Sequence, residues 1–294
     1  MTTRNKRIGE VGERELLRRL KARIPEAPGV PVGVGDDAAV VEVSSPALVT
    51  ADSLVEGVHF QRESAPARLL GRKALTVNLS DAAAMGGVGR HATVSLCLPP
   101  ELELDWVDSL YDGLLERAAE VGVAIVGGNV ARSRAAVVID ITLIGESRRP
   151  LLRSGASPGD LIAVTGELGA AAEGLLLLRQ GARLDADGQL AATGVWTDSS
   201  GEAVQSCLQA QLDPRPPLAL AGSLAERGLA RAGMDLSDGL SSDLAEMCRQ
   251  SGVGARVEAE AVPVAAAVVG LERARGGDAL ALALHGGEDY ELLL

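Results

Sequence analysis

Residues 66–86, PARLLGRKALTVNLSDAAAMG, carry the pattern of one long helix, with Leu69, Leu70, Leu75 and Met85 on its apolar side. Around Asp81 the helix is apolar almost all round, through Val77, Leu79, Ala82, Ala83, Ala84 and Met85. A helix of that kind is covered on nearly every side, so the rest of the chain must wrap it. Lys73, Val77 and Asp81 fall at i, i+4 and i+8, on one stripe. A carboxylate buried there needs a partner charge or a metal.

The other elements alternate irregularly. Residues 8–24 read as an amphipathic helix, with Ile8, Val11, Leu16, Leu17, Leu20 and Ile24 among charges. Strands are expected at Ala38–Val43, Ala47–Thr50, Thr93–Leu98, Ala124–Val126 and Ala136–Ile144, with a helix over 104–121. The turn-rich stretch from Arg148 to Asp160 is the expected domain boundary. Beyond it, Leu161–Thr165, Gly233–Leu236, Val257–Ala259 and Tyr290–Leu294 read as strands, and 169–180, 218–227 and 240–251 as helices. The stretch 181–201 reads as a surface loop and Pro214–Pro217 as a rigid turn. Without strict βαβ alternation the class is α+β. We expect two domains, 1–148 and 149–294, each a mixed or antiparallel sheet covered by helices.

Composition narrows what such a chain does. The net charge of −12 disfavours a nucleic-acid surface, and it requires bound cations if any substrate is anionic. With aromatics at 2 %, the core must be built from Ala, Val, Leu and Ile. The three cysteines, Cys97, Cys207 and Cys248, are widely spaced and form no CxxC pair, which fits a reducing cytoplasm. The first twenty residues have no apolar core of a signal peptide, and no apolar run reaches the length of a membrane span.

Acidic motifs stand at the ends of several apolar runs: GDDAA at 35–39, Thr50-Ala51-Asp52, NLSD at 78–81, DLSDG at 235–239 and GGED at 286–289. Each sets a carboxylate beside Gly, Ala or Ser. Oxygen-only ligand sets of this sort suit Mg²⁺, which takes a few carboxylates and fills its remaining positions with water and phosphate. Taken singly, GVGDDAAVV also reads as a hairpin turn, Asp52 as a strand-end cap, and HGGEDYELL as a Gly turn before a strand. In MDLSDGLSSDL a helix N-cap accounts for one or two of Asp235, Ser237 and Asp238. Gly239 there would let backbone approach a ligand at a helix N-terminus, and the glycines of VGGNVARS offer amides to phosphate. His59, His91 and His285 have no metal spacing, and the chain contains no Walker loop or GxGxxG strand–helix turn.

Together the segments GVGDDAAVV, TADSLVEGVHF, GRKALTVNLSDAAAMGG, VGGNVARS, RSGASPGD, MDLSDGLSSDL and HGGEDYELLL resemble the thiamine-monophosphate kinase family over essentially the whole chain. That family lies in the superfamily of aminoimidazole ribonucleotide synthetase and selenophosphate synthetase, whose fold the resemblance implies. It further implies transfer of the γ-phosphoryl of ATP to thiamine monophosphate, giving thiamine diphosphate. Several Mg²⁺ ions would be held by Asp37, Thr50, Asp52, Asp81, Asp235 and Asp238. ATP would contact Tyr111, Gly128, Asn129, Arg153 and Ser237, and the thiamine phosphate would meet His59 and Glu288. Asp81, Asp238 and Arg153 would carry catalysis. The N-terminal domain would bind ATP and metal and join a homodimer.

Three departures stand out. Ala51 replaces a hydroxyl of the usual STD, Asn129 replaces the acid of the usual GGD, and the chain stops just after GEDYELLL, where the family continues to an aromatic residue against the substrate. We therefore expect the second domain to be shortened at its end. The remaining alternatives are another ATP-using member of the superfamily, and a silent Mg²⁺- or nucleotide-binding protein.

Overall fold

A computed structural model of the protein describes residues 6–34, 38–43, 46–191 and 200–294. The chain forms two compact units, Met1–Asn78 with Gly89–Glu146, and Leu79–Val88 with Ser147–Leu294. The second unit thus takes in a segment, 79–88, that lies inside the continuous 1–148 expected from sequence.

In the first unit the elements run α1 (Ile8–Val11), α2 (Glu13–Lys21), β1 (Ala47–Val55), α3 (Ala67–Ala84), β2 (Val88–Leu98), α4 (Leu104–Val121), β3 (Ala124–Arg132) and β4 (Val138–Glu146). Gly12, at φ 79°, breaks the expected helix over 8–24 into two, and the second ends at Lys21. The expected strand Ala38–Val43 is reduced to a single bridge between Val32 and Val40. The four strands form one mixed sheet in the order β1-β4-β2-β3, antiparallel between β1 and β4 and parallel between β2 and β3. Along β4, Ile139, Ile141 and Leu143 are buried and alternate with half-buried residues, as a half-covered sheet requires.

From Leu69 to Ser80 every residue of α3 is buried. Several of its polar groups bond locally or to α4. Thr76 Oγ1 donates to the Arg72 carbonyl at 2.8 Å, and Asn78 Nδ2 to that of Ala74 at 3.2 Å. The buried Arg72 guanidinium makes a bidentate pair with Glu120, both bonds 2.9 Å, and Arg68 reaches Glu116 at 3.0 Å. The two helices meet backbone to backbone at a pair of glycines. A Cβ added at Gly71 would sit 1.9 Å from the Leu110 carbonyl oxygen, and one at Gly113 1.7 Å from that of Arg68.

The second unit contains α5 (Ala170–Arg179), α6 (Gly201–Leu212), α7 (Leu218–Glu226), β5 (Met234–Asp235), α8 (Leu240–Ser251), α9 (Ala266–Arg275), α10 (Ala279–His285) and β6 (Leu292–Leu293). β5 and β6 are antiparallel, with Asp235 opposite Leu292. On the other side of β6, Ala163 and Leu294 exchange backbone bonds of 3.0 and 2.9 Å. Leu168, Met234, Leu236, Leu240, Leu244, Ala283 and Leu293 form the core around this small sheet.

Here the expected strands shrink. Leu161–Thr165 keeps one bridge, at Val164, and Leu161 is 92 % exposed. Val257–Ala259 gives way to a 3-10 turn at Ala259–Ala261. Tyr290–Leu294 is reduced to Leu292–Leu293, because Glu288 and Tyr290 take left-handed φ values of 67° and 52°. Three helices, α6, α9 and α10, were not expected. The buried Val204, Cys207, Leu208 and Leu212 of α6 do carry helical spacing. Residues 192–199 of the expected 181–201 loop lie outside the described residues. Among the described residues, no helix is long and apolar enough to cross a membrane.

The glycine pair gives the first prediction. Gly→Ala in an open helix stabilises by about 1 kcal/mol. At Gly113 the clash with Arg68 should outweigh that gain and lower stability by about 2 kcal/mol or more. Urea denaturation of Gly113→Ala measures it, and a stabilised variant would show that α3 and α4 do not meet there.

Candidate active site

The site in the second unit is built on the loop between β5 and α8. Asp235 is 4 % exposed, and Ser80, near the end of α3, donates its hydroxyl to Asp235 Oδ2 at 2.8 Å. Burial, then the charge of Asp81, push the Asp235 carboxyl up to about 6, against the pull of the Ser80 hydrogen bond. The structure therefore brings Asp81 and Asp235 together, as their motifs implied. Ser237 and the exposed Asp238 follow on the same loop.

Gly239 has φ 106° and runs so close to the next motif that a Cβ would lie 2.7 Å from the Gly286 carbonyl oxygen. In turn, a Cβ on Gly287 would lie 2.4 Å from the Ser237 oxygen. The Glu288 N–H donates to the Ser237 carbonyl at 2.8 Å, and that of Tyr290 to Leu236 at 2.9 Å. The DLSDG and GGED motifs are thus one structural piece.

Each acid of the second motif is then anchored. Gln211 Nε2 donates to Glu288 Oε2. Asp289 accepts the N–H groups of Gly169 at 2.9 Å and Ala171 at 3.4 Å, at the start of α5. Burial pushes Asp289 up to about 6, with those two bonds pulling the other way. Thr165 Oγ1 donates to Glu291 Oε2 at 2.5 Å.

Sequence reasoning passed over Asp243, although it stood within the quoted MDLSDGLSSDL. Its Oδ2 accepts the N–H groups of Ser237, Asp238 and Gly239, each at 3.1 Å. These amides are spent inside the protein. The expected approach of a ligand to free backbone N–H groups at this helix start is therefore not what the loop offers. The exposed side chain on this loop is the carboxylate of Asp238. Arg153, exposed, accepts at its carbonyl from Ser251 Oγ at 3.2 Å, and its charge is felt by Glu246 on α8.

The other expected residues belong to the first unit. Thr50 and Asp52 lie on one face of the edge strand β1, opposite Leu143 and Ile141. Ala51 alternates onto the other face, so the missing hydroxyl is not taken from the Thr50–Asp52 face. His59 follows β1 in an exposed turn, where its Nδ1 accepts the Val55 N–H at 3.0 Å. Gly128 and Asn129 are exposed on β3, opposite Val94 and Ser95. Tyr111 is only 4 % exposed on α4, and burial pushes its phenol up to about 12. Tyr111, expected to meet ATP, is thus a largely covered residue. Asp37 lies outside the described residues.

Among the described residues no three His, Cys, Asp or Glu side chains are grouped to hold a metal. Asp81 and Asp235 are instead a pair of hard oxygen donors, one of them buried and short of positive charge. That fits an ion such as Mg²⁺, which binds through one or two carboxylates and relies on water and substrate phosphates for the rest.

Residues 35–147 match the N-terminal domain of AIR synthase related protein, and 157–283 its C-terminal domain. A thiamine-monophosphate kinase of Rhodopirellula baltica is 34 % identical over 290 residues, spanning 96 % of this chain and 81 % of that protein. The crystal structure of the enzyme from Stenotrophomonas maltophilia K279a superposes with TM-score 0.80 at 36 % identity, covering 95 % of this chain and 84 % of that one. The chain belongs to the thiamine-monophosphate kinase family. A solved structure of AaThiL complexed with AMPPCP and TMP also matches, at TM-score 0.76 and 32 % identity, over 99 % of this chain and 87 % of its own. The α+β class and the two-domain AIR synthase fold follow from these matches and from the sheets described above.

The buried Asp235 gives a signed prediction. A carboxyl raised from 3.8 to about 6 stabilises the fold fully below pH 3.8, and that contribution is lost as pH rises through 6. A shift of roughly two units, at about 1.4 kcal/mol each, corresponds to about 3 kcal/mol. Without divalent cations, Asp235→Asn should therefore be more stable than the parent at pH 7.5, with the gain vanishing near pH 4. Denaturant titrations across pH read this directly, and an unstable variant at pH 7.5 would refute the buried-charge account.

Proposed function

We propose that this chain transfers the γ-phosphoryl group of ATP to the phosphate of thiamine monophosphate, forming thiamine diphosphate. The observation that carries the reading is the joining of the DLSDG and GGED motifs into one piece, with Asp235 buried beside Asp81 on one side of it. The acceptor is a phosphate monoester, already anionic near neutral pH, so no strong general base is needed. The barrier is the approach of one anion to another in line, and positioning with charge neutralisation accounts for most of such catalysis.

Asp81, Asp235 and Asp238, with Asp37, Thr50 and Asp52, would hold the Mg²⁺ ions. When bound, these supply the positive charge that a protein of net charge −12 lacks toward two anionic substrates. Arg153 would add a fixed cation, and Ser237, Gly128 and Asn129 would contact ATP. Tyr111 would support the nucleotide from its covered position. His59 and Glu288 would hold the acceptor phosphate, Glu288 being oriented by Gln211. We assign metal and nucleotide binding and dimerisation to the N-terminal domain, 1–148, and the remaining acceptor, nucleotide and metal groups, Arg153 and Ser237 among them, to 149–294. The outward face of the edge strand β1, where Val49 is 69 % exposed, supports a homodimer formed through this sheet. A monomer in sedimentation at micromolar concentration would remove that part. A cytoplasmic setting agrees with the three free cysteines.

The deciding assay is thiamine diphosphate production from ATP, Mg²⁺ and thiamine monophosphate. Asp81→Ala and Asp238→Ala should abolish it while leaving the circular dichroism of the fold in place. Glu288→Ala should raise the KM for thiamine monophosphate about tenfold or more, the scale of a lost hydrogen bond to a charged group, and change that for ATP much less. ADP release that ignores thiamine monophosphate would instead point to another ATP-using branch of the superfamily.

A further inference from the structure

We propose that Asp243 is a positioning residue for the reaction: an internal anion that fills the amide cradle at the start of α8 and so sets the loop of Asp235 and Asp238 to receive a cation rather than bare phosphate. Three consecutive N–H groups, of Ser237, Asp238 and Gly239, converge on a single oxygen, Oδ2, of a side chain that is 3 % exposed. Helix capping explains only part of this. Gly239 is the N-cap, and a carboxylate four residues on that takes its N–H is a variant of the capping box. Ser237 and Asp238 precede the cap, outside the helix, and their amides gain nothing for α8 by pointing at Asp243.

What those two bonds do is fix the loop's backbone. With all three N–H groups turned toward Asp243, Ser237 presents its carbonyl oppositely, where it accepts the Glu288 N–H at 2.8 Å. The loop is therefore held from within by Asp243 and from outside by the backbone of Glu288. A helix start with three free amides would attract phosphate directly. Here the amide dipoles are already matched by a carboxylate, and the groups left over are acidic. Phosphate gains from this loop only when a divalent cation comes with it.

The proposal rests on the metal and nucleotide reading of this site for its catalytic part, but not for its structural part. It is tested on the whole chain with Asp243→Asn, which keeps the shape and one acceptor but removes the charge that strengthens all three bonds. In the unsubstituted protein without ligand, the amides of 237, 238 and 239 should exchange slowly with solvent, and in the variant faster, while the amides of α8 beyond its first turn stay protected. The Mg²⁺ concentration that half-saturates binding of the ATP analogue AMPPCP should rise about tenfold or more, as is usual when a group orienting metal ligands is lost. High Mg²⁺ should then restore binding, which a helix-stability defect would not allow. Freely exchanging amides in the unsubstituted protein would overturn the proposal whether or not the variant folds. So would an unchanged Mg²⁺ requirement, with binding lost only in proportion to unfolded protein. If the protein makes no thiamine diphosphate and these shifts still appear, the kinase reading fails and the role of Asp243 stands.

Discussion

Burial takes Asp235 out of water, and Asp81 places a second negative charge against it. Neither condition is relieved by a nearby Arg or Lys in the hydrogen bonds that Asp235 makes, since its side-chain partner is the neutral Ser80 hydroxyl. A carboxyl in that position is either protonated or in need of a cation. The surrounding architecture serves to maintain this imbalance. The end of α3 delivers Ser80 and Asp81, β5 delivers Asp235, and β6 holds β5 in register through the Asp235–Leu292 pair. At Asp235 the site favours either a proton or a bound cation.

Close backbone approach is the means by which these pieces are held. Gly239 and Gly287 allow the DLSDG and GGED segments to touch where any side chain would intrude. The left-handed backbone at Glu288 and Tyr290 then turns successive groups to different partners. Glu288 meets Gln211, Asp289 caps α5, Tyr290 is buried, and Glu291 accepts from Thr165. A non-glycine residue in that conformation is uncommon and strained, and it persists only where the surroundings over-determine it. Here a hydrogen bond fixes nearly every residue of the segment. In the first unit, Gly71 and Gly113 play the corresponding part for α3 and α4, with neighbouring Arg–Glu pairs joining the same two helices.

The same electrostatic logic runs through a chain whose net charge is −12. Acidic side chains of the second unit fall into two kinds. Asp243 and Asp289 are matched to backbone N–H groups at helix starts, where the peptide dipoles favour a negative charge. Asp235 instead accepts a neutral side-chain hydroxyl, that of Ser80, and has the charge of Asp81 against it. Backbone bonds of this kind mark carboxylates that build the fold, which composition alone does not do.

Much of this was legible in the residues. The run 66–86, apolar almost all round near Asp81, required a buried helix to hide that many Leu, Val and Ala side chains, and α3 is that helix. Asp81, Asp235 and Asp238 were marked by standing beside Gly, Ala or Ser at the ends of apolar runs. The strands 161–165 and 290–294 were overextended because apolar runs report burial, not pairing. Whether a run pairs depends on a neighbour's hydrogen bonds and on φ values such as those of Glu288 and Tyr290. Helix α6 was passed over although Val204, Cys207, Leu208 and Leu212 carry its period. The role of Asp243 could not be read at all. Its type and place agree with a ligand, a cap or a solvated face, and the choice is made by where the Ser237, Asp238 and Gly239 amides point. Sequence by itself determined which residues must be buried and which carry charge. Only the tertiary structure decided which charges are already answered, because hydrogen bonds are directional and their partners lie far apart along the chain.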